Sequence, residues 1–259
     1  MHTRILLALQ LSISANSAND FSSAEISLRS EWGSILSEKV VLVPSRKAMS
    51  QLPREPSGAE NQTSYDKLLD ALDEFLSEHD QDEISLEHLA QVTNTPIAVV
   101  LYHFPNREAA AAALTRRYAA LASMEIMSNH SDLNLENWQG IVSEILERGK
   151  AFNAKYPAAQ KLRFGSGQSA GVRHVILQSN WSLAEIIKRE LERLYIVPTH
   201  AALLNDLVYA IVMVDALWAL SVELYGRITT EMAEEAERAV TAILQLSFGN
   251  SLPRRSSEK

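Results

Sequence analysis

Residues 85–108 read SLEHLAQV, then TNT, then PIAVVLYHFPNRE, and the order of caps and breakers in that stretch decides the fold. Ser85 can offer its hydroxyl oxygen to the free N–H groups that open a helix, while Leu86, Leu89 and Ala90 recur on one face, so a short helix is predicted over 85–92. Asn94 is the residue of the 93–95 turn that best tolerates a left-handed backbone, and Thr95-Pro96 is a cap followed by a residue suited to the first helical position. A second helix starts there. It must stop by Phe104, because Pro105 lacks the N–H needed to continue it and disfavours helical geometry in the residue before it. Asn106 then caps a third helix, whose first turn holds Arg107 and Glu108 and whose alanine-rich body runs to Leu121.

Working outward, Leu68, Leu69, Leu72, Phe75 and Leu76 share one face of an amphipathic helix over 64–78, leaving Asp66, Lys67, Asp70, Asp73 and Glu74 to solvent. Downstream, Trp138, Ile141, Val142, Ile145 and Leu146 predict a helix over 135–155. Val175, Ile176, Ile186, Ile187, Leu191 and Leu194 predict another over 172–195, with a glycine-rich break between the two. The stretch 199–225 is the most apolar. Asp215, Glu223 and the flanking Asp206 argue against a membrane span, so a helix this apolar must be buried on two sides. A last helix follows Gly226, capped by Thr229 or Thr230, with Glu231, Glu234 and Glu235 near its positive end and Ala239, Val240, Ile243, Leu244 and Leu246 along its body.

The chain has 259 residues, 46% of them hydrophobic, which is enough for a head and one larger helical domain. It contains no cysteine, which excludes disulfides, cysteine-type zinc sites and thiol chemistry. Residues 1–18 superficially resemble a secretory signal, with a short basic start, the apolar stretch 5–11 and small residues over 14–18. The competing reading is an upstream extension with Met49 as an alternative start, since Pro44, Pro53, Pro56 and Gly58 read as linker. That reading is preferred on this linker composition.

Tyr102-His103-Phe104-Pro105-Asn106-Arg107-Glu108, preceded by Leu89-Ala90 and an amphipathic helix, resembles the DNA-binding head of the TetR family of bacterial regulators over about 64–114. The resemblance implies an all-α fold: a leader over 1–62, a three-helix helix-turn-helix head over 63–110, a larger helical ligand-binding and dimerisation domain over 111–250, and a tail over 251–259. It implies that the helix matching 96–104 enters the major groove, with Ser85 and Arg107 on phosphates. The DNA-facing set is then Lys67, Ser85, Thr95, Ile97, Ala98, Val99, Tyr102, His103 and Arg107. The family usually places a basic or polar residue where Ile97 stands, a glycine or small residue at Ala98 and a tyrosine at Leu101. Apolar side chains read a thymine methyl but make no bidentate hydrogen bonds to guanine or adenine, so base readout is expected to be weak or methyl-dependent.

Charge bears on the same point. Over 63–108 the acids Asp66, Asp70, Asp73, Glu74, Glu78, Asp80, Asp82, Glu83, Glu87 and Glu108 face only Lys67 and Arg107, a net charge equal to the −8 of the whole chain. Phosphate neutralisation supplies much of DNA affinity, so this head needs its charges segregated or needs help from Arg46, Lys47 and Arg54 in the preceding segment, which otherwise read as a solvated arm.

The resemblance further implies a pocket for a small-molecule effector, for which Arg163, Phe164, His174, Gln178, Trp181, Asp215 and Trp218 are the candidate residues. Asp215 stands out, because a carboxylate in so apolar a helix is costly unless paired or used: either it takes a cationic or hydrogen-bond-donating ligand, or it has an internal partner such as Arg163 or a tyrosine. Gly167-Gln168-Ser169-Ala170-Gly171 matches the nucleophile-elbow pattern, but that turn needs a preceding strand in a sheet, and no sheet is predicted. No metal-ligand or cofactor-loop spacing is present, so no catalytic residue, metal or cofactor is assigned. The expectation is a cytoplasmic, non-enzymatic regulator that binds a double-stranded DNA operator as a homodimer, takes a small-molecule effector and makes no membrane contact. The alternative is a TetR-fold regulator that has lost DNA binding and acts through protein contacts.

Overall fold

The computed structural model describes residues 42–127, 137–198 and 203–255. The signal-like stretch at 1–18 lies outside them. Among the described residues there are ten α-helices and, in place of a sheet, a single isolated bridge between Tyr195 and Arg254. They are α1 (Arg46–Met49), α2 (Ala59–Glu78), α3 (Leu86–Val92), α4 (Ile97–His103), α5 (Arg107–Ile126), α6 (Trp138–Lys155), α7 (Pro157–Phe164), α8 (Ala170–Leu194), α9 (Leu203–Tyr225) and α10 (Thr230–Phe248).

The helix-turn-helix follows its punctuation. Ser85 caps α3 by accepting from the His88 N–H at 3.2 Å, Asn94 adopts φ 49° in the turn, and Asn106 caps α5 by accepting from the Ala109 N–H at 2.9 Å. One detail shifts by a residue. Pro96, not Thr95, is the capping position of α4: Pro96 has the extended ψ of 132°, its carbonyl accepts from Val99, and the Thr95 hydroxyl turns back to the Thr93 carbonyl. Proline fixes φ but not ψ, so it serves before the first turn as well as in it.

α2 begins five residues before the predicted start, and its Leu68, Leu69, Leu72 and Leu76 are almost fully buried with Leu89, Val100 and Phe104. The alanines 109–113 of α5 are buried all round, and their small side chains let α2 and α8 both close on the same helix. One core therefore runs without a break from the head into α6, α7 and α8. A second core joins α6, α8, α9 and α10. The 250–255 segment, predicted as tail, runs antiparallel to 194–196, with Leu252 buried and Ile196 N–H bonded to the Pro253 carbonyl at 2.7 Å.

The segment before α2 departs most from expectation. Instead of a solvated arm, 45–58 is a folded strap: Ser45 caps α1, Ala48 is buried, and α1 packs on α8. The Gln51 side-chain oxygen accepts from the Gly171 N–H at 3.1 Å, and the Ser50 carbonyl accepts from the Asn106 side chain at 2.7 Å. Met49 is the last residue of α1. Gly171 makes this approach possible, because a Cβ there would lie 2.4 Å from the Gln51 carbonyl oxygen. Gly171→Ala is therefore expected to lift the strap from α8, costing about 1–3 kcal/mol in chemical denaturation and opening 45–58 to limited proteolysis.

Candidate functional site

α4 is a surface helix pinned by its inner face. Val100 and His103 are buried, while Ile97, Ala98, Leu101 and Tyr102 are exposed and Val99 is half-buried. Ile97, Ala98, Val99 and Tyr102 of the predicted set thus come together. Leu101 joins them; its position four residues after Ile97 carried that signal in the sequence. His103 is a correction. Only 1% exposed, it sits edge-on to the Tyr65 ring at 5.1 Å with Nδ1 3.2 Å from the Arg54 carbonyl oxygen, so it supports α4 from within rather than facing a groove.

The basic residues of the head are engaged internally. The Lys67 ammonium donates to the Thr93 carbonyl and so ties α2 to the helix-turn-helix turn. Arg107 donates to the Asp82 carbonyl at 2.6 Å and lies 3.4 Å from Glu108; Arg116 pairs with Glu55, and Arg117 with Asp70. The Ser85 hydroxyl donates to the Glu87 carboxylate at 3.2 Å, which puts an acid beside an expected phosphate contact.

Behind the head, α5, α6, α7, α8 and α9 enclose a mainly apolar cavity of about 120 Å3. Arg163, Asp215 and Trp218 of the predicted set line it; Phe164, His174, Gln178 and Trp181 do not. Phe164 backs the Trp218 ring at 6.0 Å, His174 is buried, Gln178 faces out, and Trp181 packs on the second core. The polar end of the cavity is a closed network. Arg163 donates through Nε and Nη2 to the two Asp215 oxygens at 3.0 and 2.9 Å and through Nη2 to Asn180 Oδ1 at 2.6 Å, and Asn180 Nδ2 donates to Asp215 at 2.9 Å. Asp215 is thus fully accounted for by internal partners, and nothing is left of a preference for a cationic ligand.

Asn180, Tyr118 and Gly149 are cavity residues the sequence reading missed. A buried asparagine on the apolar side of α8 was the available signal. Gly149 lets the Trp218 ring lie against α6, since a Cβ there would be 3.1 Å from the ring. The Tyr118 hydroxyl donates to Asp73 on α2, and burial together with that carboxylate pushes its phenol well above the usual range. The elbow-like Ser169 caps α8, accepting from the Val172 N–H at 3.1 Å, and follows a turn after α7 rather than a strand.

Residues 136–248 match the model of the tetracyclin repressor-like C-terminal domain. The match gives the C-terminal helical part of the chain a TetR-type domain. A TetR-family transcriptional regulator from Streptomyces coelicolor superposes with a TM-score of 0.57 at 20% identity, over 71% of this chain and 99% of that one. A TetR transcriptional regulator from Rhodococcus sp. RHA1 does so with a TM-score of 0.56 at 16% identity, over 72% and 98%. These structures share the fold. A comparison with curated proteins finds no match by sequence.

The Arg163–Asp215 pair gives a test of the cavity's architecture. Asp215→Ala leaves a guanidinium without its partner in an apolar wall and is expected to cost about 2–4 kcal/mol, whereas Arg163→Met with Asp215→Leu recovers most of that loss in urea denaturation.

Proposed function

We propose that this protein is a regulator of the TetR type: a ligand-responsive transcriptional repressor that binds double-stranded DNA as a two-fold homodimer in the cytoplasm. The observation that carries the reading is the outward face of α4, where Ile97, Ala98, Leu101 and Tyr102 project while Val100 and His103 fix the helix from behind. A short helix held in this way fits a major groove, and its apolar face suits thymine methyl groups and the sugar wall.

Dimerisation is supported by α9. Its mean hydropathy of 1.9 and its length would suffice to cross a membrane, yet its inner face packs in the second core and Asp215 is tied to Arg163. The outer face leaves Val212, Leu220, Leu224 and Tyr225 exposed, and α10 adds an exposed Leu246. A face this apolar fits a second copy of itself across a two-fold axis.

The effector fits the cavity. Because the Arg163–Asp215–Asn180 network is neutral as a whole, a charged ligand would lose its hydration without gaining a counter-ion, so the favoured effector is uncharged and mainly apolar. Its size is that of a small ring compound, since a cavity of roughly 150 Å3 holds benzene.

Two measurements test this. Light scattering should give twice 28.8 kDa, and Leu220→Glu with Leu224→Glu should halve it. Binding to a mixed-sequence duplex should weaken with salt at a log–log slope of about −2 to −5 per dimer, shallow for the class because so few cations are free. If no duplex is bound even at low salt, the reading through protein contacts replaces this one.

A further inference from the structure

Of the cations near α4, Lys67, Arg107, Arg116 and Arg117 all bond inward to carbonyls or carboxylates. Arg54 does not. Its main chain is clamped to the end of the recognition helix at two points: its N–H donates to the His103 carbonyl at 2.9 Å, and its carbonyl oxygen lies 3.2 Å from His103 Nδ1. Its guanidinium carbon stands 5.5 Å from the centre of the Tyr102 ring, which is 52% exposed on the face proposed to meet DNA.

We infer that the strap before α2 is part of the DNA-binding surface and that Arg54 is its phosphate contact, delivered beside Tyr102 by the clamp on His103. This rests on the DNA-binding reading above. The chemistry is favourable on three counts. A guanidinium against an aromatic face keeps its N–H edges free to donate, and phosphate accepts from them in a fork geometry. The clamp fixes the Arg54 main chain before DNA arrives, so less conformational entropy is lost when the contact forms. And in a head dominated by carboxylates, this cation is held next to the recognition helix with no carboxylate partner among the described residues.

The test uses the full chain and a fluorescein-labelled mixed-sequence duplex of about 30 base pairs, titrated by anisotropy between low and moderate salt. Arg54→Ala is expected to lower affinity about tenfold at low salt and to reduce the salt slope by about one per head, whereas Arg54→Lys should keep the slope and lose only a few-fold in affinity. Near-identical circular dichroism and melting midpoints would show that the strap is still folded in both. Wild type binding with an Arg54→Ala variant of unchanged slope would overturn the inference alone, including the case in which affinity falls only because Tyr102 loses its neighbour. Wild type failing to bind at every salt concentration would overturn the DNA-binding reading and this inference with it.

Discussion

A carboxylate and a guanidinium in a mainly apolar wall need each other as partners once the helices around them have closed, and the Arg163–Asp215 pair is where that constraint falls in this chain. It joins three elements. Arg163 is on α7, Asp215 on α9, and Asn180 of α8 bonds to both. This network is the main polar tie among the helices that wall the cavity, since the rest of the lining is mostly apolar. The opposite side of the same short helix touches the head: the Gln81 side chain donates to the Lys161 carbonyl at 3.0 Å, and the Lys161 ammonium donates to the His79 carbonyl at 3.1 Å. α7 is therefore held by hydrogen bonds at both faces, one set in the cavity and one on the 79–83 loop. Asp82 of that loop in turn accepts from Arg107 at the start of α5.

A second route runs through Tyr118. Its ring lines the cavity and its hydroxyl reaches Asp73 on α2, so a cavity occupant that displaces the ring also disturbs the first helix of the head. The buried alanines of α5 transmit rather than absorb such displacements. A helix packed all round by small side chains has no flexible groups to rearrange, and it moves as a rod or not at all. For the proposed repressor, these are the contacts through which an effector would change the spacing of two heads.

How much of this was legible beforehand follows from how local each signal is. The head was, because caps and breakers act within four residues: Ser85, Asn94, Pro105 and Asn106 each do in the structure what their chemistry predicts. The Pro96 shift shows the limit, since φ alone does not decide whether a proline precedes or opens the first turn. α7 was hidden in the break between two longer helices, because eight residues with a proline at the first position carry too few apolar positions to show a period. The strap was misread for a different reason. Proline, glycine and serine mark a segment without regular structure, and they do not say whether it is solvated; its attachment depends on Gly171 and His103, far away in sequence. In the cavity, Asp215 announced itself as a charge in an apolar helix, but its partner could not be chosen among several residues until the fold brought Arg163 to it.

The acidity of the head looks at first like an argument against any nucleic-acid role, and the geometry changes what that charge means. Its basic residues are engaged in holding the motif together, with Lys67 on the turn and Arg107 on the 79–83 loop, so the head would present little free positive charge whatever the number of acids around it. On the proposed reading, affinity per head would come from apolar contact along α4 and from the Arg54 cation of the strap, both modest terms. A single weak head would be of little use, but two held by the proposed dimer would bind with a high effective concentration, provided their spacing fits the duplex. That dependence works in both directions. The weaker each head is alone, the more completely binding is lost when the spacing changes, so an acidic, lightly charged head is better suited to release by a small shift of α5 and α7 than a strongly basic one that would stay on phosphate through one subunit.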